Sequence, residues 1–271
     1  MAMLYSLAEF LPIILPLLRA ARARNLVEIG AEAGTMTRAM IAYTAEAGGS
    51  LTEIEVMPTA ELTALVAAAP HARLEKGLSL EILPTLEAAD AYLIDGDHNY
   101  YTVLHELLAV RRAVGAARRP LLALLHDIGW PFGRRDGYYD PETIPAEFRQ
   151  PHDWIRGVRP DLAELTPGGF RGLGAFAVAA REGGTRNGVL TAVEDFLTAD
   201  GAGLRLAKVP AIFGLGVVYA ADAPWSAAAE AILAPYADNA LLAAMECDRL
   251  QHFAELIALQ YRVSNPPPPS S

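Results

Sequence analysis

Short apolar runs alternate along this chain with longer segments in which apolar side chains recur every three or four positions, a βα rhythm that holds from about residue 25 to residue 125. The runs Asn25 to Ile29, Leu51 to Val56, Arg73 to Lys76, Ala91 to Ile94 and Pro120 to Leu125 read as strands. The last is almost purely apolar, as a strand buried on both faces is. Between them, helices are expected after Gly34, over Thr59 to Ala69, over 79–88 and over Tyr101 to Val114. Strands alternating with helices predict an α/β, doubly wound, mostly parallel sheet. The rhythm breaks from Ile128 to about Gly188, where Gly, Pro, aromatic and charged residues mix without period, and the aromatic content predicts an ordered lid. A helix over Val189 to Leu197, a closing hairpin of Leu204 to Val209 and Phe213 to Tyr219, and a helical stretch from Trp225 to about Val263 follow. In that stretch Leu242, Met245, Leu250, Phe253, Ile257 and Tyr261 fall at helical steps, a face suited to docking on the domain or on a twin subunit, so a homodimer through the C-terminal helices is an expectation. The expected organisation is an N-terminal helical segment (1–24), one main domain (25–222) carrying the 128–188 insert, C-terminal helices (223–263) and a disordered Pro-Ser tail (264–271).

Composition narrows the partners. Lys and Arg total 22 against 32 Asp and Glu, a net charge of −10, which disfavours nucleic acid because phosphate backbones are gripped mainly by Lys and Arg. The single cysteine, Cys247, excludes an internal disulfide and fits a reducing compartment. Residues 4–18 are apolar, but Glu9, Pro12 and Pro16 interrupt them and no basic stretch precedes them. A cytoplasmic protein without a membrane span is expected.

Two constellations carry chemistry. At the first strand-to-helix turn the chain reads Val27-Glu28-Ile29-Gly30-Ala31-Glu32-Ala33-Gly34. Glycines there let a ligand approach the backbone at the edge of an open sheet. A dinucleotide site has G-x-G-x-x-G; here the interval is G-x-x-x-G and carboxylates crowd the turn, which repels phosphate and suits a cationic nucleoside. Farther on, Asp95-Gly96-Asp97-His98 and His126-Asp127 each follow an apolar run. The ends of adjacent parallel strands share one edge, so these groups are expected to converge there. The insert begins beside them with Trp130, Arg134, Arg135, Tyr138 and Tyr139, which either wall a small-molecule pocket and grip an anion or form a self-packed loop.

From about Leu26 to Tyr219 these landmarks resemble the class I S-adenosylmethionine-dependent methyltransferases, and the Asp-Gly-Asp-His and His-Asp pair resembles a subgroup of them. The layout is also similar to the divalent-metal-dependent catechol-type O-methyltransferases. The resemblance implies a Rossmann-like seven-stranded sheet with an antiparallel C-terminal strand. It implies S-adenosylmethionine held by Glu28, Gly30, Ala31, Gly34, Thr37, Glu55, Ser79 and Asp95, with Glu55 on the ribose hydroxyls. Relatives often carry Asp where Leu78 stands, and Leu78 accepts no hydrogen bond, so Ser79, a backbone carbonyl or packing is left to hold the adenine. Carried over, Asp95, His126 and Asp127 become ligands of Mg²⁺ or another divalent metal and His98, with Asp95, the catalytic pair, His98 being the base. The catechol-type enzymes have Lys at the base position and Asp-Asn as the pair. A metal-free alternative stands beside this: His126 and Asp127 orient His98 or the substrate, and His98 alone takes the proton. The implied reaction is methyl transfer to a small acceptor, most simply a hydroxyl. A metal-dependent hydrolase on the same Asp/His cluster and a non-catalytic nucleoside-binding module are the rival readings.

Overall fold

In the computed structural model, which describes residues 6–265, Ser6 accepts a hydrogen bond from the Ala8 N–H and starts a 3₁₀ turn, Leu7–Phe10, that runs into α1 (Leu11–Ala20). Pro12 falls in the first turn of α1, where its missing N–H is harmless. Then β1 (Asn25–Ile29), α2 (Thr35–Ala47), β2 (Ser50–Glu55), α3 (Ala60–Ala67) and β3 (Ala72–Lys76) follow as the periodicity predicts. The next helix is short: α4 (Ser79–Ile82) passes into a 3₁₀ turn at Leu83–Thr85, where Pro84 removes a donor. β4 (Ala91–Ile94), α5 (Tyr100–Ala116) and β5 (Leu122–Leu125) complete the run, with the Asn99 side chain capping α5 at the Thr102 N–H.

The insert is more regular than its sequence suggests. It forms β6 (Gly137–Tyr138), β7 (His152–Asp153), β8 (Gly157–Arg159), β9 (Leu162–Thr166) and β10 (Ala177–Ala179). These make a three-stranded sheet in the order β6-β10-β7 and a separate β8-β9 pair. Strands of two or three residues carry too little alternation to show in a sequence. After the insert come α6 (Val189–Asp200), the antiparallel β11 (Leu204–Val209) and β12 (Leu215–Ala220), α7 (Ser226–Leu233) and α8 (Ala240–Ser264). The expected single C-terminal helical stretch is thus two helices, broken around Pro235 and restarted by the Asn239 cap. The helix also runs to Ser264, inside the segment expected to be a disordered tail; residues 266–271 of that segment lie outside the described residues.

The main sheet has seven strands in the order β11-β12-β5-β4-β1-β2-β3, parallel except for β12, which pairs antiparallel with both neighbours. This is the Rossmann-like arrangement expected. Alternate strand residues supply its two faces: Leu26, Leu51, Leu93 and Leu124 pack against α1 and α2, and Val27, Ile54, Ile94 and Leu125 join the core that includes α5 and α6. Among the described residues no helix is long and apolar enough to cross a membrane.

One buried carboxylate fastens the insert to this sheet. Asp136 Oδ1 accepts from the Tyr100 N–H at 2.8 Å and the Gly188 N–H at 2.6 Å, and Oδ2 accepts from the Tyr138 hydroxyl at 2.7 Å. The starts of α5, α6 and β6 therefore meet at one side chain. Asp136→Ala would leave two amides and the Tyr138 hydroxyl proton without acceptors and cost on the order of 3 kcal/mol. Asp136→Asn, which keeps an oxygen for both amides, would cost less. Denaturant unfolding measures the difference, and equal stability of Asp136→Ala and the unaltered protein would refute this account.

Candidate functional site

The β1 turn and the β4 turn approach each other so closely that only glycine fits between them. Gly30 has φ +82°, and a Cβ on it would strike the Asp95 carbonyl and the Gly96 Cα. Gly34 caps α2 in the same left-handed region, φ +77°. The Ala31 N–H donates to Glu55 Oε2 at 3.1 Å, so the acidic end of β2 braces the turn, and Glu55 Oε1 accepts from the Met57 N–H. A pocket of about 100 Å³ opens beside this turn. Ser6, Gly30, Ala31 and Glu32 line one side, Asp95, His98 and Asp127 another, and Phe132, Tyr139, Phe170, Phe176 and Phe213 the rest. Small-molecule pockets usually have roughly 300–1,000 Å³, so a nucleoside enters only if the insert or the Ser6 segment gives way. A larger groove of about 390 Å³, among Asn25, Ser50, His71 and Arg119, lies at the opposite strand ends, away from the edge where such sheets bind ligands.

The acid and imidazole groups do converge. His98 Nε2 is 3.0 Å from Asp127 Oδ2 and 3.7 Å from Asp95 Oδ1. His126 Nδ1 is 3.1 Å from Asp95 Oδ1 and 3.3 Å from Asp127 Oδ2. The His98 ring stacks on Phe132, centroids 4.8 Å apart and planes 7° apart, which fixes its orientation. The Leu7 N–H donates to Asp95 Oδ2 at 3.3 Å, so the N-terminal segment closes the cluster from above. Asp97 does not join it: Oδ2 accepts from Asn99 and Thr102 in the first turn of α5.

Electrostatics revise the expected roles of both histidines. His126 Nε2 lies 3.2 Å from the Ile212 carbonyl, an acceptor, while Nδ1 faces two carboxylates. With acceptors at both nitrogens the arrangement suits an imidazolium, which offers no lone pair to a metal. Burial alone would lower its pKa, but Asp127 and Asp95 raise it well above the usual value. His126 is corrected from ligand to internal cation. The same balance acts on His98, where burial is outweighed by Asp127 and Asp95 and the pKa rises to about 10. Burial would raise the Asp127 carboxyl, but His126 and His98 hold it far below the usual range. The ligand atoms of Asp95, His98 and Asp127 all lie within 4.8 Å of one another, so these three, not the set with His126, could hold a cation.

Other expected site residues are committed elsewhere. Thr37 Oγ1 is buried and donates to Glu53 Oε2 at 3.4 Å, so it supports the sheet beneath the turn. Glu28, 1% exposed, lies beneath the turn as well and does not line the pocket. The Ser79 hydroxyl donates to buried Glu106 at 2.5 Å and is committed there. Arg134 forms two bonds to Glu194, at 2.6 and 2.8 Å, and a third to Thr191. Arg135 is fully buried and donates to the carbonyls of Ala179 and Ala163. Neither arginine can grip a substrate anion. Tyr138, also fully buried, bonds Asp136, and Trp130 sits behind the pocket wall against Phe170, Phe213 and Phe253. Only Tyr139 of the expected substrate residues faces the pocket, beside His98. The wall residues Phe170, Phe176 and Phe213, and Ser6, carried no sequence signal; they come from distant segments brought in by tertiary packing.

Because the pKa of His98 is raised, its ion pair stabilises the fold fully below about pH 6.5 and loses that contribution as pH rises through about 10, provided Asp127 is ionised. The imidazole ring should remain protonated at pH 8 in NMR titration, and Asp127→Asn should bring its titration down toward the ordinary range. A His98 titrating near 6.5 in the unaltered protein would contradict the geometry.

Comparison with known proteins agrees with the motifs. Residues 27–118 match a family model described as a methyltransferase domain. Among curated proteins none matches. Solved structures similar to this chain include cofactor-bound Rv0187 from MTB, 17% identical, covering 81% of this chain and 82% of that one, TM-score 0.46. The O-methyltransferase TomG from Streptomyces achromogenes, involved in tomaymycin synthesis and solved with SAM, is 16% identical over 77% of this chain and 78% of its own, TM-score 0.45. An O-methyltransferase from Bacillus cereus, solved with SAH, is 12% identical over 79% and 80%, TM-score 0.45. Residues 27–118 of the chain are thus similar to a methyltransferase-domain family.

Proposed function

We propose that this protein transfers the methyl group of S-adenosylmethionine to a hydroxyl of a small organic acceptor. The observation that carries this reading is the juxtaposition of the Gly30–Gly34 turn with Asp95, His98 and Asp127 around one pocket. Carboxylates and no phosphate-binding cation at the turn suit a sulfonium nucleoside. Aromatic side chains wall the remainder and exclude water from the path of transfer. With Arg134 and Arg135 occupied, a planar uncharged acceptor fits better than one bearing phosphate or carboxylate.

The chain's contribution is first alignment: holding acceptor oxygen and methyl carbon in line supplies much of the acceleration. His98, fixed by Phe132 and Asp127, is the base. In the free protein it carries a proton, so it accepts one from the acceptor only after losing its own, and the neutral fraction grows with pH. Asp95 and Asp127 form the acidic part of a donor set that fits a divalent cation; His98 would complete it only as a neutral ring, and would then be a ligand and not the base. Such an ion, when bound, would supply Lewis acidity that lowers the pKa of the hydroxyl.

Titration calorimetry with S-adenosylmethionine should show saturable binding; none by a natively folded protein would sink the reading and favour a hydrolase. With an acceptor in hand, His98→Ala should lower kcat by roughly 10²-fold or more while leaving cofactor affinity within a few-fold. In the unaltered enzyme kcat/KM should climb with pH across the neutral range, and a profile flat from pH 6 to 9 would remove His98 from the base role.

A further inference from the structure

Glu28 of β1 and Glu53 of β2 are register partners on neighbouring parallel strands, and both side chains point to the face covered by α2. They are 1% and 0% exposed. Thr37, from the first turn of α2, offers Glu53 a single hydroxyl at 3.4 Å. Neither oxygen of Glu28 nor Oε1 of Glu53 has a hydrogen-bond donor among the described residues. The charged groups acting from the adjoining elements, Glu55 at the end of β2 and Asp95 at the end of β4, are both acids. Two dry carboxylates side by side, without a cation, cannot both be ionised. The only donor either can offer the other is its own proton. Burial accordingly pushes Glu28 up to about 7 and Glu53 well above the usual carboxylate range.

This pair lies directly under the turn, Glu28 two residues before Gly30. A positive charge entering the turn acts on the pair through a low-dielectric protein interior and favours its ionised form. We propose that Glu28 and Glu53 share one proton in the free protein and release it to solvent when the cationic methionyl sulfonium portion of S-adenosylmethionine occupies the Gly30–Gly34 turn. One carboxyl O–H bond breaks, the proton passes to water or buffer, and the second carboxylate so formed offsets the ligand's positive charge. Glu53, which no motif singles out, thereby becomes a determinant of selectivity for a cationic nucleoside. The inference rests on the cofactor reading above.

The test is calorimetric titration of the full-length protein with S-adenosylmethionine near pH 7, in buffers of different ionisation enthalpy, for the unaltered chain and for Glu53→Gln. The expected result is release approaching about one proton per ligand in the unaltered protein and little in Glu53→Gln, whose amide donates to Glu28 and leaves it ionised throughout. Saturable binding with equal proton release in both proteins overturns the inference and leaves the cofactor reading intact. Absence of binding defeats the cofactor reading itself, and stability then decides whether the pair holds a proton. A carboxyl raised in the folded state stabilises below its unfolded value near 4.5 and loses that contribution as pH rises through about 7. The unaltered protein should therefore lose stability over that window and Glu53→Gln should not; identical pH dependence overturns the shared proton.

Discussion

Two imidazole rings and two carboxylates meet where β4 and β5 end, and the carboxylates raise the pKa of both rings; this charge balance is the constraint around which the site is built. Asp127 is buried and Asp95 is largely so, and two carboxylates this close favour ionisation only with opposite charge beside them. His126, wedged between them and the Ile212 carbonyl, supplies one compensating charge from inside. His98 supplies the other from the pocket side. The difference in exposure separates their roles: the inner ring has both nitrogens committed, whereas the outer one stacks on Phe132 with an edge open to the pocket.

The insert acts on the same cluster from the opposite direction. Its sequence suggested an anion grip by Arg134 and Arg135, but Arg134 is paired with Glu194 of α6 and Arg135 is spent on carbonyls within the insert. The Gly137 N–H donates to the His98 carbonyl at 2.9 Å, and Asp136 binds the amide at the start of α5, so the strand that leads into Tyr139 also fixes the backbone of the turn bearing His98. The pocket wall and the turn bearing His98 are in this sense one structure. The aromatic packing of Trp130, Phe213 and Phe253 extends that unit to α8.

Where side-chain periodicity is strong, sequence and structure coincide: β1 and β4 fall on the expected residues, and the sheet order follows from alternating βα units closed by a hairpin. Where elements are short or polar contacts decide, they diverge. The insert's strands escape a periodicity reading, and a proline with a new cap sets where the C-terminal helical stretch divides.

Local sequence determined the strands, the glycine turn and the placement of Asp95, His98, His126 and Asp127 at one edge, because those follow from the two-residue repeat of strands and the common direction of parallel ones. Tertiary structure alone decided which histidine faces the pocket, which arginines are internal, and that Glu28 lies against Glu53. Protonation and hydrogen-bond commitment depend on groups far apart in the chain, and no spacing along the sequence encodes them.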